Sequence, residues 1–199
     1  MTRLIAFTTL VLGALVSGPV LAVEEARYDV LVEDGAFEVR RYAPAVVAVT
    51  EVEAEFENAG QRAFRSLAGY IGGENATDQD IAMTAPVTQH AADADGRWEL
   101  AFFMPAEYAL DELPAPENQR VQLERWPERT MAAVRYGGTW STESYREHLA
   151  ALQAWIAEQG LAIAGAPVWA RYNGPFTPWF MRRNEVLIPI GPAPEVAAR

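Results

Sequence analysis

The sequence predicts an α+β fold in which an antiparallel sheet, curved or closed into a distorted barrel, carries two amphipathic helices on its outside. Apolar residues alternate with a period of two in several short segments, as in half-buried strands. Two longer segments carry apolar residues at helical spacing. The order of these elements is the same in both halves of the chain, and the short connections between them favour antiparallel pairing.

The composition is that of a globular protein, with 50% hydrophobic and 22% charged residues among 199. All 16 basic residues are arginine, and 27 acids give a net charge of -11. Such an acidic chain without a basic block is a poor candidate for binding nucleic acid. The absence of Cys excludes disulfides and thiolate metal sites, and two histidines exclude a multi-histidine metal site.

The first 22 residues are expected to be a signal peptide. The segment begins with a basic Arg3, continues with apolar Leu4–Val16 and ends with Val20–Ala22, the small-residue spacing of a signal-peptidase site. The apolar run is shorter than the roughly 20 residues that span a bilayer. We therefore expect cleavage after Ala22, no stable membrane insertion, and a periplasmic or secreted protein in which residues 23–199 form one domain.

An internal duplication of about 70 residues is indicated by a repeat in the pattern of apolar residues. A shift of 84 positions places Phe37–Tyr42 on Val121–Trp126 with the alternation preserved. The same shift places residues 102–105 on residues 186–189. The two halves would span about 27–105 and 111–190.

In the first half, four segments are predicted strands: Phe37–Tyr42, Thr50–Phe56, Ile81–Gln89 and Arg97–Met104. The helix between the second and third strands is predicted to have Asn58 as its N-cap and to stop at Gly72. Its apolar face would consist of Ala63, Phe64, Leu67, Ala68 and Ile71. The three glutamates Glu51, Glu53 and Glu55 alternate along a strand and are expected to form a solvated face rather than a catalytic site.

In the second half, four segments are again predicted strands: Val121–Trp126, Thr130–Tyr136, Val168–Tyr172 and Glu185–Ile190. The intervening helix is predicted to begin near Ser141 and to stop at Gly160. Its apolar face would consist of Tyr145, His148, Leu149, Leu152, Trp155 and Ile156. Neither half contains a nucleophile elbow, a phosphate loop or a dinucleotide fingerprint, so we expect a binding protein and not an enzyme.

Several motifs recur in a characteristic order along the chain: Tyr28–Leu31, Phe37–Tyr42, Tyr70–Asn75, Ile81–Val87, Trp126–Arg129, Ala170–Pro175 and Arg182–Val186. This order and spacing resembles the SOUL/haem-binding protein family over about residues 26–190. The resemblance implies a duplicated β-α-β-β type repeat that forms a distorted antiparallel β-barrel flanked by two long α-helices.

The resemblance also implies a reversible, non-covalent haem or tetrapyrrole site in a shallow apolar groove beside the first helix. Carried across, Gln61, Phe64 and Ala68 would face the porphyrin. Basic residues of the family meet the propionates, and this chain departs from that pattern. Gln61 stands where a basic residue is expected, and Gly69 stands where haem-binding relatives often have one.

Arg62 and Arg65 flank this groove and are candidates to replace the missing bases, since a guanidinium binds a carboxylate through two hydrogen bonds. Met83 and Tyr172 are candidates for further porphyrin contact, and Met83 is also a possible weak thioether ligand. Each has a structural alternative. Phe64 and Met83 are also explained as core residues, and Tyr172 as the anchor of a turn.

His148 is a weak candidate for an axial ligand, because the shift of 84 places it opposite Phe64. The alternative is a partly buried residue of the second helix. His90 lies at a strand end, before a polar segment expected to be an exposed loop, and is expected to be a surface residue. The predicted haem site therefore does not need a protein side chain as a ligand to the iron.

Three functions remain open at this point. The first is an exported soluble binder of haem or related tetrapyrroles that acts as a carrier or buffer. The second is a module that binds another amphipathic small molecule or a protein partner in the same groove. The third is an enzyme acting on a tetrapyrrole, for which the sequence offers no catalytic residues.

Overall fold

A computed structural model describes residues 23–93 and 96–191. The expected signal peptide, residues 1–22, lies outside this part of the chain. The elements up to the middle of the chain are β1 (Glu24–Glu25), β2 (Tyr28–Asp34), β3 (Phe37–Tyr42), β4 (Ala45–Glu53), α1 (Phe56–Ile71), β5 (Thr84–Ala85), β6 (Val87–Ala91) and β7 (Arg97–Phe103). Those that follow are β8 (Val121–Trp126), β9 (Arg129–Tyr136), α2 (Thr142–Glu158), β10 (Val168–Arg171), a 3-10 helix (Trp179–Met181) and β11 (Asn184–Pro189).

Nine of the strands form one antiparallel sheet, in the order β2-β3-β9-β11-β10-β6-β7-β4-β8. The sheet curls into a half-barrel whose edge strands, within the described residues, are β2 and β8. The short strands β1 and β5 pair separately and in parallel. The α+β class and the curved antiparallel sheet are confirmed, with strands of both halves joined in one half-barrel.

The first strand of each predicted half pairs with the other half. Strand β3 lies against β9, with Phe37 opposite Val134, and β8 lies against β4, with Val121 opposite Thr50. At the centre of the sheet β6 pairs with β10. Each side of the sheet therefore contains a strand from the other half of the sequence.

Both helices pack on the same face of this sheet. Along one line of paired strands, Trp169, Gln89 and Leu100 point to the helix side. Ala170 and Thr88, which pair with each other and each lie next to one of these residues in sequence, point to the opposite face of the sheet. Side chains alternate between the two faces along a strand. Helix α1 packs on β4 and β7, and α2 packs on β9 and β11. Among the described residues, neither helix has the length and apolarity needed to cross a membrane.

The predicted ends of α2 are confirmed. The Ser141 hydroxyl accepts a hydrogen bond from the Ser144 backbone N–H at 3.3 Å, which is the geometry of an N-cap. Gly160 follows the helix with a φ of 66°, a conformation that favours glycine.

The predicted start of α1 at Asn58 is wrong. The helix begins at Phe56, and the Glu55 carbonyl accepts from the backbone N–H groups of Asn58 and Ala59 at 2.9 and 3.0 Å. The Phe56 ring stacks on Trp169 with centroids 4.8 Å apart. This packing adds Phe56 to the helix, and so β4 ends at Glu53 rather than at position 56.

Two further strand predictions need correction. The segment Ile81–Gln89 contains β5 and the first part of β6, separated by Pro86, which has no N–H for a ladder hydrogen bond. Strand β2 was not predicted as a strand, because most of its residues are exposed at the edge of the sheet. Glu51, Glu53 and Glu55 are exposed, as expected for a solvated face.

Candidate ligand-binding groove beside the first helix

The exposed flank of α1 contains the residues that the family resemblance singled out. Successive helix residues are rotated by about 100°, so Gln61, Phe64 and Ala68 share one flank. Phe64 is 42% exposed, and its ring meets the edge of Phe102 at 5.5 Å between centroids. The core face of α1 consists instead of Ala59, Gly60, Ala63, Leu67, Tyr70 and Ile71. Phe64 therefore lies at the border between core and solvent.

This flank of α1 faces the centre of the sheet. On β6, the Gln89 side-chain amide donates to the Phe56 carbonyl at 2.9 Å. On β10, the Arg171 guanidinium lies against Gly60, where a Cβ would come within 2.5 Å of its nitrogen atoms. Only glycine at position 60 leaves room for this contact. The flank of α1 is thus bordered by β7 at Phe64, through Phe102, and by the two central strands at Phe56 and Gly60.

Arg171 is a cation in this region without a carboxylate partner among the described residues. Its guanidinium donates to the Gln89 side-chain carbonyl at 3.2 Å, but its buried Nε has no hydrogen-bond partner. The guanidinium carbon lies 4.8 Å from the ring centroid of Trp169. Burial lowers the pKa of Arg171 to about 10. Sequence reasoning missed this residue, since an Arg at the end of a strand carries no sign of which face it lies on.

The two arginines predicted to flank the groove point in different directions. Arg65 borders the Gln61 flank, is exposed, and makes no hydrogen bond or ion pair within the described residues. Arg62 lies on the far side of α1 and donates to the Glu53 backbone carbonyl at 3.0 Å. Only Arg65 is therefore placed to meet a ligand held against Phe64.

Of the two further candidates, Tyr172 lies away from the α1 residues. It packs on the sheet face opposite the helices, with Tyr42 and Met131. Met83 lies in the segment before β5, outside any strand, and is 41% exposed. The expected cluster therefore loses Tyr172, and Met83 stays an exposed candidate.

The Tyr172 hydroxyl belongs to a buried ionic network. It donates to the Glu185 carboxylate at 2.8 Å, and Arg40 donates to the same carboxylate at 2.6 and 3.1 Å. Arg183 adds a hydrogen bond at 3.0 Å. Arg40 and Glu185 are almost fully buried, so the network satisfies charges that would otherwise be costly to desolvate. Through its hydrogen bond to Glu185, Tyr172 has a structural role in this network.

His148 is held on α2 by two contacts. Its Nδ1 donates to the Ser144 carbonyl at 2.7 Å, and its ring stacks on Tyr136 with centroids 3.9 Å apart. The ring is half-buried, as the structural alternative expected. Within the described part of the chain, no group of three or more His, Cys, Asp or Glu side chains is arranged to hold a metal ion.

A second exposed apolar surface lies between β10 and β11. Its large side chains are Phe176, Trp179, Phe180 and Met181, each at least 60% exposed. Arg182 orders this loop by donating to the backbone carbonyls of Thr177 and Pro175 at 2.8 and 3.0 Å. The aromatic side chains are therefore presented to solvent by a loop with internal hydrogen bonds.

Comparison with known proteins relates the whole described chain to one family. The family model described as SOUL heme-binding protein matches residues 23–189. Human Heme-binding protein 2 is 30% identical over 163 residues, which cover 78% of each chain. Heme-binding protein 1 of Xenopus tropicalis is 27% identical and covers 77% of this chain and 84% of its own length.

Solved structures share the fold at much lower identity. The C-terminal domain of EcmrR superposes with a TM-score of 0.63 at 10% identity, over 82% of this chain and 98% of that domain. A structure described as a hydrolase from Listeria innocua gives 0.59 at 13% identity, over 81% and 94% of the two chains. These likenesses concern the fold alone. With the family match over nearly all described residues, the chain belongs to the SOUL heme-binding protein family.

Proposed function

We propose that this protein binds haem or a related tetrapyrrole reversibly and non-covalently, in the groove beside α1, and acts as a carrier or buffer. The observation that carries the proposal is the exposed Phe64 ring on a helix flank that family membership associates with haem. A porphyrin needs apolar contact over a flat surface and cations for its two carboxylates. Catalysis is not part of the proposal.

The residues of the α1 flank fit these needs in outline. Phe64 offers an exposed ring, and Ala68 is small enough for a flat ligand to approach the helix closely. Arg65 is an exposed cation beside them without an ion-pair partner among the described residues, and Arg171 is a half-buried cation against Gly60. Apolar contact and one or two guanidinium–propionate pairs would hold the ligand.

Axial ligation contributes little to this proposal. Met83 is exposed but offers only a weak thioether donor, and the Nδ1 of His148 donates to the Ser144 carbonyl on the other helix. The iron, when present, would be bound weakly or exchange its ligands freely. Reversible binding is what a carrier or buffer requires.

A titration of the purified protein with haem tests the proposal. A saturable shift of the Soret band with a stoichiometry of one supports it, and iron-free protoporphyrin should bind with similar affinity because contact with the ring dominates. Absence of saturable binding to either porphyrin would overturn it.

The exposed aromatic loop favours a second candidate function, in which the protein binds another amphipathic molecule or a protein partner. Phe176 is 98% exposed, which is unusual for a large apolar side chain on an ordered loop. If the porphyrin titrations fail, the same protein immobilised for a screen of amphipathic small molecules tests this alternative.

Export to the periplasm or the medium is part of the proposed carrier role. Its support is the basic start, short apolar run and small-residue site within residues 1–22. Intact-mass analysis of exported protein should give a chain that begins at Val23. A mature chain with another first residue would contradict cleavage after Ala22.

We also propose that the two halves arose by duplication. The shift of 84 positions pairs β3 with β8 and β4 with β9, and each helix follows the second strand of its pair. The strand order of the sheet has the same pattern from either end, apart from the edge strand β2. Superposition of the two halves as separate bodies is the measurement that tests this.

A further inference from the structure

A second cavity lies on the sheet face opposite the helices, away from the proposed haem groove. Its volume is about 250 Å³, and its wall includes strands from both halves of the sequence. The apolar part of the wall is formed by Phe103, Trp126, Met131, Val168, Leu187 and Pro189. No Asp or Glu in the described part of the chain lines it, although the chain as a whole is strongly acidic. A porphyrin is too large for this space, so any ligand that the cavity binds must be smaller.

Arg129 lines the cavity, and no carboxylate of the described residues lies within salt-bridge distance of it. Its guanidinium carbon lies 4.0 Å from the ring centroid of Trp126, and it makes no hydrogen bond or salt bridge with the described residues. The neighbouring acids are engaged elsewhere, since Glu124 accepts from the Trp126 indole N–H at 3.1 Å and Glu99 pairs with His90 at 3.6 Å. Burial lowers the pKa of Arg129, yet the group stays charged at neutral pH because an arginine pKa starts far above 7. A half-buried cation beside apolar walls favours an anion.

Thr88 provides a second, independent polar group. Its side chain is 3% exposed, it lines the same cavity, and its hydroxyl has no hydrogen-bond partner among the described residues. A buried hydroxyl without a partner costs about 1–3 kcal/mol, so such groups are commonly satisfied by a water or a ligand. His90 adds a third polar group on the wall. It lies near the end of β6, as expected, but it is half-buried, which corrects its prediction as a surface residue.

We propose that this cavity binds a small amphipathic carboxylate, with the carboxylate paired to Arg129 and hydrogen-bonded by the Thr88 hydroxyl, and the apolar body against Trp126 and Leu187. The site is separate from the haem groove, which lies on the other face of the sheet. It does not depend on haem binding, and its ligand is of medium chain length or a single ring because of the cavity volume.

Calorimetric titration with three eight-carbon probes tests the charge preference. Octanoate should bind at least about tenfold more tightly than 1-octanol, because a hydrogen bond to a charged group contributes more than one to a neutral group. Protonated octylamine should bind more weakly than octanol, since it meets the Arg129 charge. Equal affinity for octanoate and octanol, preference for octylamine, or binding of none of the three would overturn the proposal.

Variants locate the site. Arg129→Gln should remove most of the difference between octanoate and octanol, and Arg129→Lys should keep most of it. Arg125→Gln is the matched control, since Arg125 is exposed on the same turn of the chain and does not line this cavity. Thr88→Val, which keeps the shape of the side chain, should weaken octanoate binding several-fold and leave octanol unchanged.

A blocking variant keeps the test decisive if the Arg129 variants fold poorly. Ala166 is exposed at the cavity wall, so Ala166→Phe should exclude octanoate and octanol alike while the fold is retained. Octanoate at saturation should leave the haem titration unchanged. Competition between octanoate and haem, or octanoate binding that Ala166→Phe does not reduce, would refute a separate site. Loss of haem binding alone would bear only on the haem proposal.

Discussion

The carboxylate of Glu74 lies directly over Gly69, in the space that any side chain at position 69 would fill. The resemblance to the family predicts a basic residue at position 69. Here an acid from the segment after α1 occupies that place. Gly69 and Arg62 share the far side of the helix. A propionate on that side would meet the negative Glu74 carboxylate and an Arg62 guanidinium that already donates to the Glu53 carbonyl.

Replacing Glu74→Gln should therefore change haem binding only slightly. The substitution keeps the size of the side chain and removes a negative charge on the far side of α1, across a helix about 10 Å wide, so we expect a gain below about twofold even at low ionic strength. A gain above about fivefold would place the propionates on the far side of α1 and contradict the assigned direction of the groove. Soret titrations at two salt concentrations measure the gain. Glu147→Gln, an exposed acid on α2, is the matched control and should have no effect. An equal gain in both variants would show only the effect of net charge.

Phe64→Glu should weaken haem binding at least about tenfold, or about 1.4 kcal/mol. The new carboxylate would lie against the porphyrin face and beside its propionates. Phe64→Leu is the control for lost packing on Phe102 and should keep most of the affinity. His148→Ala should change the affinity little, because the His148 ring is stacked on Tyr136 in the other half. A silent Phe64→Glu with loss of binding in His148→Ala would move the site to α2.

The two exposed arginines of α1 should differ in their effect on haem binding. Arg65→Gln removes a free cation next to Phe64, and a several-fold loss is expected that fades at high salt. Arg62→Gln should be nearly neutral, since Arg62 donates to the Glu53 carbonyl on the far side of the helix. Titrations of both variants at low and high salt give the comparison. Equal losses would contradict the assigned direction of the groove.

Local patterns in the sequence were sufficient for most of the fold, because they depend on neighbouring residues. The alternation at Phe37–Tyr42 and the cap at Ser141 identify a strand and the start of α2 directly. The start of α1 was missed because it depends on Phe56 stacking with Trp169, which lies 113 positions further along the chain (169 minus 56). The pairing of β3 with β9 and of β8 with β4 could not be predicted from local patterns either, because it joins the two halves of the chain.

The candidate sites depended on more distant contacts, and sequence reasoning recovered them only in part. Phe64 was found through the resemblance to a family, whereas Arg171 and Arg129 have no distinguishing neighbours. Tyr172 was misplaced because alternation tells which residues share a face but not which face meets the helices. The packing of Tyr172 with Tyr42 and Met131, which are distant in sequence, places it on the face away from α1.

A fragment of residues 23–110 should not fold by itself. Strand β3 would lose β9, β4 would lose β8 and β6 would lose β10, so three strands of the fragment would expose unpaired backbone groups and apolar faces. The Phe56 ring would also lose its packing on Trp169. Circular dichroism and amide exchange of the fragment should resemble an unfolded chain. Cooperative thermal unfolding of the fragment would contradict the prediction that residues 23–199 fold as one domain.

The stability of the protein should depend on pH through Glu99. Burial raises the pKa of Glu99 to about 7, and the nearby acids Glu124 and Glu51 add to the increase, while Arg129 opposes it. In the unfolded chain the same carboxyl ionises near its ordinary value of 4.5. Between these two values the folded protein holds a proton that the unfolded chain has released. The free energy of unfolding should therefore fall as the pH rises through this window, by on the order of 2 kcal/mol, and stay level above it.

Glu99→Gln isolates this contribution. The variant should be more stable than the parent at pH 8, where the parent carries a poorly solvated charge, and nearly as stable at pH 5, where Glu99 is protonated. His90 acts in the opposite direction, because burial lowers its pKa and the unfolded chain then binds the extra proton. His90→Asn should thus steepen the fall in stability that Glu99→Gln flattens. Urea unfolding of the three proteins from pH 5 to 8 measures the slopes, and an unchanged slope in Glu99→Gln would show that its carboxyl titrates alike in the folded and unfolded chains.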